Sequence, residues 1–279
     1  MSQSPVPTYG PAILFCPGDR PDRFDKADQA ADQIILDLED AVAADSKATA
    51  RREVAAALPD LDPDRVIVRV NPLHTPMGQE DLEAVAGTGV RHLMAPKSEP
   101  GVTPFPADYT WIALCETPSG VLGAPELAAD PAVGAITWGS EDLAASLGAR
   151  VAPQLDQLTL PHLLVTRGMV PLAAGAAGIA ALDRVYLDLD NDEGLRHESA
   201  QAAAMGYRAK LAIHPRQVAG IRAAFLPTDE EVEDARAVLA AAAEVGGRAF
   251  AHRGRMVDEP LLAQARIVVA QAEAAAERG

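Results

Sequence analysis

IILDLEDAVAADSKATARREVAAALPDLDPDRVIVRV, residues Ile34 to Val70, decides the fold. The stretch opens on one apolar run, Ile34–Leu38, and closes on another, Val66–Val70. Each has the length and content of a buried strand. Between them Ser46–Leu58 is alanine-rich and amphipathic at helical spacing, and Asp45 or Ser46 stands where a cap belongs. Strand, helix and strand in so short a span predict two parallel strands joined by a helical crossover.

Outward from this unit the same alternation recurs. The candidate strands are Ala12–Cys16, Ile34–Leu38, Val66–Val70, His92–Ala95, Trp111–Cys115, Ala135–Trp138, Arg184–Leu187 and Lys210–Ile213. Helical patterns fill most of the gaps, Pro118–Ala129 among them. Eight such units predict an α/β protein built as a (β/α)8 TIM barrel. A doubly wound sheet is the alternative. It usually carries a glycine-rich phosphate loop after its first strand, whereas here Pro17-Gly18-Asp19-Arg20 follows. A long helical region, Leu155–Gly178, interrupted by Pro161 and Pro171, precedes the seventh strand. After the eighth come a helix at Asp229–Ala243, an irregular segment at Gly246–Pro260 and a last helix at Leu261–Ala276. The expected organisation is a barrel over residues 1–225 and a C-terminal helical extension over 226–279.

The formal net charge of −16 disfavours nucleic acid and anionic membranes as partners. An anionic ligand therefore needs a local patch of positive charge, and Arg20, Arg23 and Lys26 supply one. No apolar run reaches membrane-spanning length. The first ten residues do not read as a signal peptide. Cys16 and Cys115, with no short spacing, predict reduced packing thiols and a cytoplasmic setting.

Barrel enzymes keep their chemistry at the C-terminal ends of the strands. Those ends carry Asp19, Arg20, Arg23 and Lys26 after the first strand, and Asp37, Glu39 and Asp40 at the second. Arg69 and Asn71 follow at the third, Lys97 at the fourth, Glu116 at the fifth and Ser140-Glu141-Asp142 at the sixth. Asp188 and Asp190 follow the seventh and His214 the eighth. Asp19, Glu141 and Asp190 read equally well as caps or loop charges. Glu116 and Asp142, on neighbouring strands, form a carboxylate pair suited to magnesium, with water and a chelating oxo acid filling the other positions. No histidine cluster offers a zinc site. Arg69 is placed to stabilise an oxyanion. Asp37, Glu39, Asp40 and Lys97 read as supports of that pair. His214 and Trp138 read as structural, and Cys115 as packing.

Nine segments in this order resemble the citrate lyase β-subunit-like family of acyl-CoA lyases: LFCPGDRPDRFDKA, ILDLEDAV, VRVNP, APKSE, ALCETPSG, WGSEDLAASLG, LDLDNDEGL, KLAIHPRQV and GRMVDEP. The resemblance covers roughly Ile13 to Ala270 and implies a magnesium-dependent barrel lyase (manganese possible), a homotrimer or a multiple of trimers. It implies metal ligation by Glu116 and Asp142, substrate binding by Arg69 and Glu116, and CoA binding by Arg20, Arg23 and Lys26. Asp258, in GRMVDEP, corresponds to an acid–base residue that the C-terminal lid delivers to a neighbouring subunit. The implied reaction cleaves or forms a 3-hydroxyacyl-CoA such as citramalyl-, malyl-, citryl- or 3-hydroxy-3-methylglutaryl-CoA, giving an acyl-CoA and a keto acid. Thioester hydrolysis of the malate- or citramalate-synthase kind and a CoA-independent 2-oxo-acid aldolase are the alternatives. Ala149–Met169 matches the family poorly, and Pro161 is unusual inside a helix. That region often shapes the acid pocket, so the acid itself stays open.

Overall fold

The structure, a computed structural model, describes residues 9–149, 160–244 and 249–278, with side chains through 273. Eight parallel strands close into a barrel in chain order, β8 pairing back onto β1. The strands are β1 Ala12–Pro17, β2 Gln33–Asp37, β3 Val66–Arg69, β4 His92–Ala95, β5 Thr110–Cys115, β6 Val133–Trp138, β7 Ala180–Asp183 and β8 Ala209–Ala212. Helices follow most of them. These are α1 Phe24–Ala30, α2 Lys47–Ala57, α3 Pro76–Val85, α4 Pro118–Leu122, α5 Ala124–Ala128, α6 Ser140–Ser146, α7 Pro161–Ala177, α8 Asp192–Ala204 and α9 Pro215–Phe225.

Side chains alternate between the two faces of a strand. One face fills the barrel. Ile13, Ile35, Ile67, Met94, Ile112, Leu114, Ala135, Leu182 and Leu211 belong to a single buried cluster. Asp37 and Arg69 stand two residues beyond Ile35 and Ile67, and Glu116 two beyond Leu114. The same alternation that buries the plug therefore turns these three polar side chains into the mouth above it.

The seventh strand is a correction. The sequence pattern favoured Arg184–Leu187, but the strand is Ala180–Asp183 and the residues after it run without regular structure. Strand preference rewards Val185 and Tyr186 over alanine, yet it is Ala180–Asp183 that pairs with β6 and β8 and puts Ala180 and Leu182 into the barrel core. Pro161 is also placed differently. It is the first residue of α7, where its missing N–H is harmless, while Pro171 does lie inside that helix. Residues 150–159, the rest of the poorly matching stretch up to α7, lie outside the described residues apart from Leu160. Ser46 precedes α2 but makes no capping hydrogen bond. The expected Pro118–Ala129 helix is broken at Gly123, against which Pro100 packs too closely for any side chain.

By contact the chain divides into two compact units, Met1–Ile221 and Arg222–Gly279, the division falling inside α9. The second unit pairs α10 Asp229–Glu244 with α11 Glu259–Arg278 around Ala235, Val238, Val257, Leu262 and Ala265. Where an irregular segment was expected, β9 Phe250–His252 and β10 Arg255–Val257 form an antiparallel hairpin. Its turn, Arg253-Gly254, has both φ angles positive, as tight hairpins favour. Among the described residues, no helix is long and apolar enough to cross a membrane.

Candidate active site

The mouth is organised around Asp37. Its two carboxylate oxygens accept from Arg69 Nε at 2.7 Å and Nη2 at 2.6 Å, a forked, charge-assisted pair. The same oxygens accept from the backbone N–H groups of Glu39 and Ala41, which fixes the loop after β2. Arg69 Nη1 lies 2.9 Å from Glu39 Oε2 and 3.9 Å from Asp40. The guanidinium also rests 4.9 Å over the Phe15 ring. Burial works against its charge, but the hydrogen bonds and charge of Asp37 outweigh burial and hold it firmly cationic.

Lys97 ties this side of the mouth to the other. Its backbone is left-handed, φ +49°, and its N–H donates to Glu116 Oε1 at 2.9 Å. Its Nζ donates to Glu39 Oε1 at 2.6 Å and lies 3.6 Å from Asp142 Oδ1. Lys47 Nζ donates to the carbonyls of Leu38 and Glu39 and to Asn71 Oδ1. Asn71 in turn donates to Leu38 O and Asp81. The loop that carries Glu39 and Asp40 is thus held from below.

Glu116 is the most perturbed carboxyl here. Burial, then the negative charges of Glu39 and Asp142, push it up to about 8, and Lys97 offsets only part of this. Burial likewise raises Glu39 against the pull of Arg69 and Lys97. The carboxylates gathered here outnumber the positive charges of Arg69 and Lys97. Gly139, just after β6, lies so close that a side chain there would meet Glu116 Oε2 at 2.8 Å. Among the described residues no group of three or more histidines, cysteines or acids is arranged to hold a metal. A two-carboxylate site with open positions suits magnesium, which keeps water and takes few protein ligands, and the donors present fit that ion.

The structure therefore gathers Asp37, Glu39, Asp40, Arg69, Lys97, Glu116 and Asp142 in one mouth. It does not bring the basic cluster into these contacts. Arg20 is exposed and paired with Asp22 at 2.9 Å, and Arg23 and Lys26 are exposed on the segment after β1. Asp258 belongs to the second unit, where it is exposed and its carbonyl accepts from Leu262 N at the start of α11. Asp188 and Asp190 form a turn rather than a strand end. His214 Nδ1 accepts from Arg216 N at the start of α9. Cys115 is buried and its thiol is pushed up to about 12 by burial and then by Glu116, which suits packing and not nucleophilic chemistry.

Sequence reading missed a second cluster on the outer face of β6–β8, formed by Trp138, Arg167, Asp183, Arg184, Glu198 and Lys210. Lys210 Nζ bonds Asp183 Oδ2 and Glu198 Oε1, both at 2.7 Å, and is fully buried. Its signal was present: a lysine and an aspartate inside otherwise apolar strands rarely lie there unpaired.

A closed parallel barrel whose C-terminal mouth gathers carboxylates, a locked arginine and a bridging lysine has the layout of a barrel enzyme. The model of the HpcH/HpaI aldolase/citrate lyase family matches residues 12–102 and 106–215, and the chain belongs to that family. It is similar to a citrate lyase subunit beta-like protein of Mycobacterium tuberculosis, 45% identical over 269 residues, or 94% of this chain and 96% of that one. It is also similar to a (3S)-malyl-CoA thioesterase of Cereibacter sphaeroides, 38% identical, covering 95% of each. A solved structure of CitE from M. tuberculosis in complex with magnesium, acetoacetate and coenzyme A superposes with a TM-score of 0.89 at 42% identity, covering 95% of this chain and 98% of that one.

Proposed function

We propose that the chain is a magnesium-dependent carbon–carbon lyase acting on a 3-hydroxyacyl-CoA, cleaving it to an acyl-CoA and a keto acid or running the reverse. The observation that carries this reading is the Glu116–Asp142 pair beside an arginine that cannot swing away. Magnesium held by Glu116 and Asp142 supplies Lewis-acid polarisation and a template for the acid.

The chain's own groups supply the rest. Arg69, with Nε and Nη2 committed to Asp37 and Nη1 facing Glu39, is pre-set to stabilise charge on the thioester oxygen. Lys97 and Glu39 keep Glu116 and Asp142 oriented. Arg20, Arg23 and Lys26 meet the phosphates of CoA. In cleavage, the 3-hydroxyl gives its proton to solvent water, a C=O bond forms at C3 as the bond between C2 and C3 breaks, and the electrons of that bond pass to the thioester as an enolate. Asp258, contributed by a neighbouring copy in a homotrimer or a multiple of trimers, then protonates that enolate at carbon. In synthesis Asp258 removes that proton. Closure by the neighbour's segment excludes water from the enolate.

A second reading adds hydrolysis of the thioester. The likeness to the malyl-CoA thioesterase favours it. One experiment separates the two. Citramalyl-, malyl-, citryl- and 3-hydroxy-3-methylglutaryl-CoA are incubated with the protein, with and without magnesium, while keto acid, acyl-CoA and free CoA thiol are measured. Keto acid and acyl-CoA without free thiol mark a lyase, and stoichiometric thiol marks hydrolysis. No cleavage of any member by folded protein overturns both. Glu116→Ala and Asp142→Ala should abolish the magnesium response, Arg23→Glu should weaken CoA binding, and Asp258→Ala should lose turnover while keeping the metal.

A further inference from the structure

Asp142 is the third residue of α6, so its place depends on how the chain leaves β6. No side chain caps the start of that helix. Three consecutive residues are held there in different ways. Trp138 is buried on the outer face of the barrel and its Nε1 donates to Asp183 Oδ1 at 3.0 Å. Gly139 lies against the Glu116 carboxylate. The Ser140 hydroxyl, also buried, accepts from Arg184 Nη1 at 2.7 Å and reaches Glu141 Oε1 at 3.2 Å.

Arg184 belongs to a closed ring. Its Nη2 donates to Glu198 Oε2 at 3.0 Å, and Glu198 Oε1 accepts from Lys210. Lys210 also donates to Asp183 Oδ2, and Asp183 accepts from Trp138. The Arg184 guanidinium closes the circuit 5.3 Å over the Trp138 ring. Ionic groups buried this deeply add little net stability over a well-packed apolar core, so their best-attested use is to fix one arrangement among several. Here the ring spans β6, β7, β8 and α8, and Ser140 connects it by a hydrogen bond to the segment carrying Asp142.

We infer that Arg184 is a positioning residue for the metal pair, its bond to Ser140 setting Asp142 opposite Glu116 from behind the barrel wall. The inference rests on the proposed Glu116–Asp142 metal site. Partners that orient ligands in this way typically change metal affinity by about tenfold or more when removed. The Arg184→Lys variant keeps the charge facing Glu198 but lacks the fork that reaches Ser140. Ser140→Ala removes one hydroxyl and leaves the ring intact.

The test is direct titration with Mn2+, read by the loss of the free-ion electron paramagnetic resonance signal, on the folded full chain. The wild type should bind, and Glu116→Ala should not. If the wild type fails to bind, or binds as Glu116→Ala does, the metal site itself is wrong and the inference falls with it. Given that binding, Ser140→Ala and Arg184→Lys should each weaken Mn2+ by roughly tenfold, and the double variant should be no weaker than either. A purely structural role would instead lower the melting temperature and leave Mn2+ affinity unchanged in the folded fraction. Wild-type affinity in both single variants, or losses that add in the double variant, overturns the inference.

Discussion

Glu116 carries the clearest pH signature of any single residue. In the metal-free protein its carboxyl stands at about 8, above its ordinary 4.5. The sign follows directly: the folded state binds this proton more tightly than the unfolded chain does. The stability this site contributes is complete below about pH 4.5 and is lost as pH rises through about 8. A divalent cation competes with that proton. Magnesium affinity is therefore expected to climb by up to about tenfold per pH unit toward pH 8 and then level. Calorimetry in two buffers of different ionisation enthalpy reads the released proton, and an affinity flat between about pH 6 and 8 would contradict the assignment. Arg69 stays cationic throughout this range.

At the scale of elements, strands β1 to β6 were legible because each is a short, largely apolar run, and β8 was placed within one residue. β7 was not. Ala180-Ala181-Leu182-Asp183 has a weak local preference for strand, and its pairing with Ala135 on one side and Ala209 on the other selects it over the more strand-like Val185-Tyr186. Register is a property of the closed barrel, which no local window contains. The Glu116–Asp142 pair was readable from its strand ends, and Lys97 only as a nearby charge, because its bridging role depends on a left-handed backbone. The outer ring was signalled only by a lysine and an aspartate inside apolar strands, because its members come from four elements. Its weight in stability is measurable. Lys210→Met leaves Asp183 and Glu198 buried with a partner missing and should cost about 3 kcal/mol or more in urea unfolding. A loss under about 1 kcal/mol would show that Arg167 and Arg184 suffice as partners.

For the whole molecule, the proposal places catalysis on two copies of the chain, the metal pair on one and Asp258 on another. Glu116→Ala and Asp258→Ala proteins should each be inactive alone. Dissociated and reassembled together, they form some sites with both groups intact. Activity is expected to return to a substantial fraction of wild type, at most about one quarter if copies mix at random. No recovery after demonstrated mixing would place Asp258 in the same copy as Glu116, or outside the reaction. The net charge of −16 sets a second expectation. If CoA is captured by the basic segment after β1, as proposed, added salt should slow its binding to the wild type more than to Arg23→Glu, and equal salt dependence would contradict that placement.

The chain has two tryptophans. Trp111 is buried near the start of β5, its ring 5.8 Å from Phe105 and 6.0 Å from Tyr109. Trp138 lies beneath the Arg184 guanidinium, one residue from the glycine that touches Glu116. A charged group stacked on an indole alters its excited state, so in a Trp111→Phe background the remaining emission should report how the ring behind the site settles as metal and substrate arrive. The molecule carries its own optical gauge, mounted on the far side of the wall from the chemistry it would record.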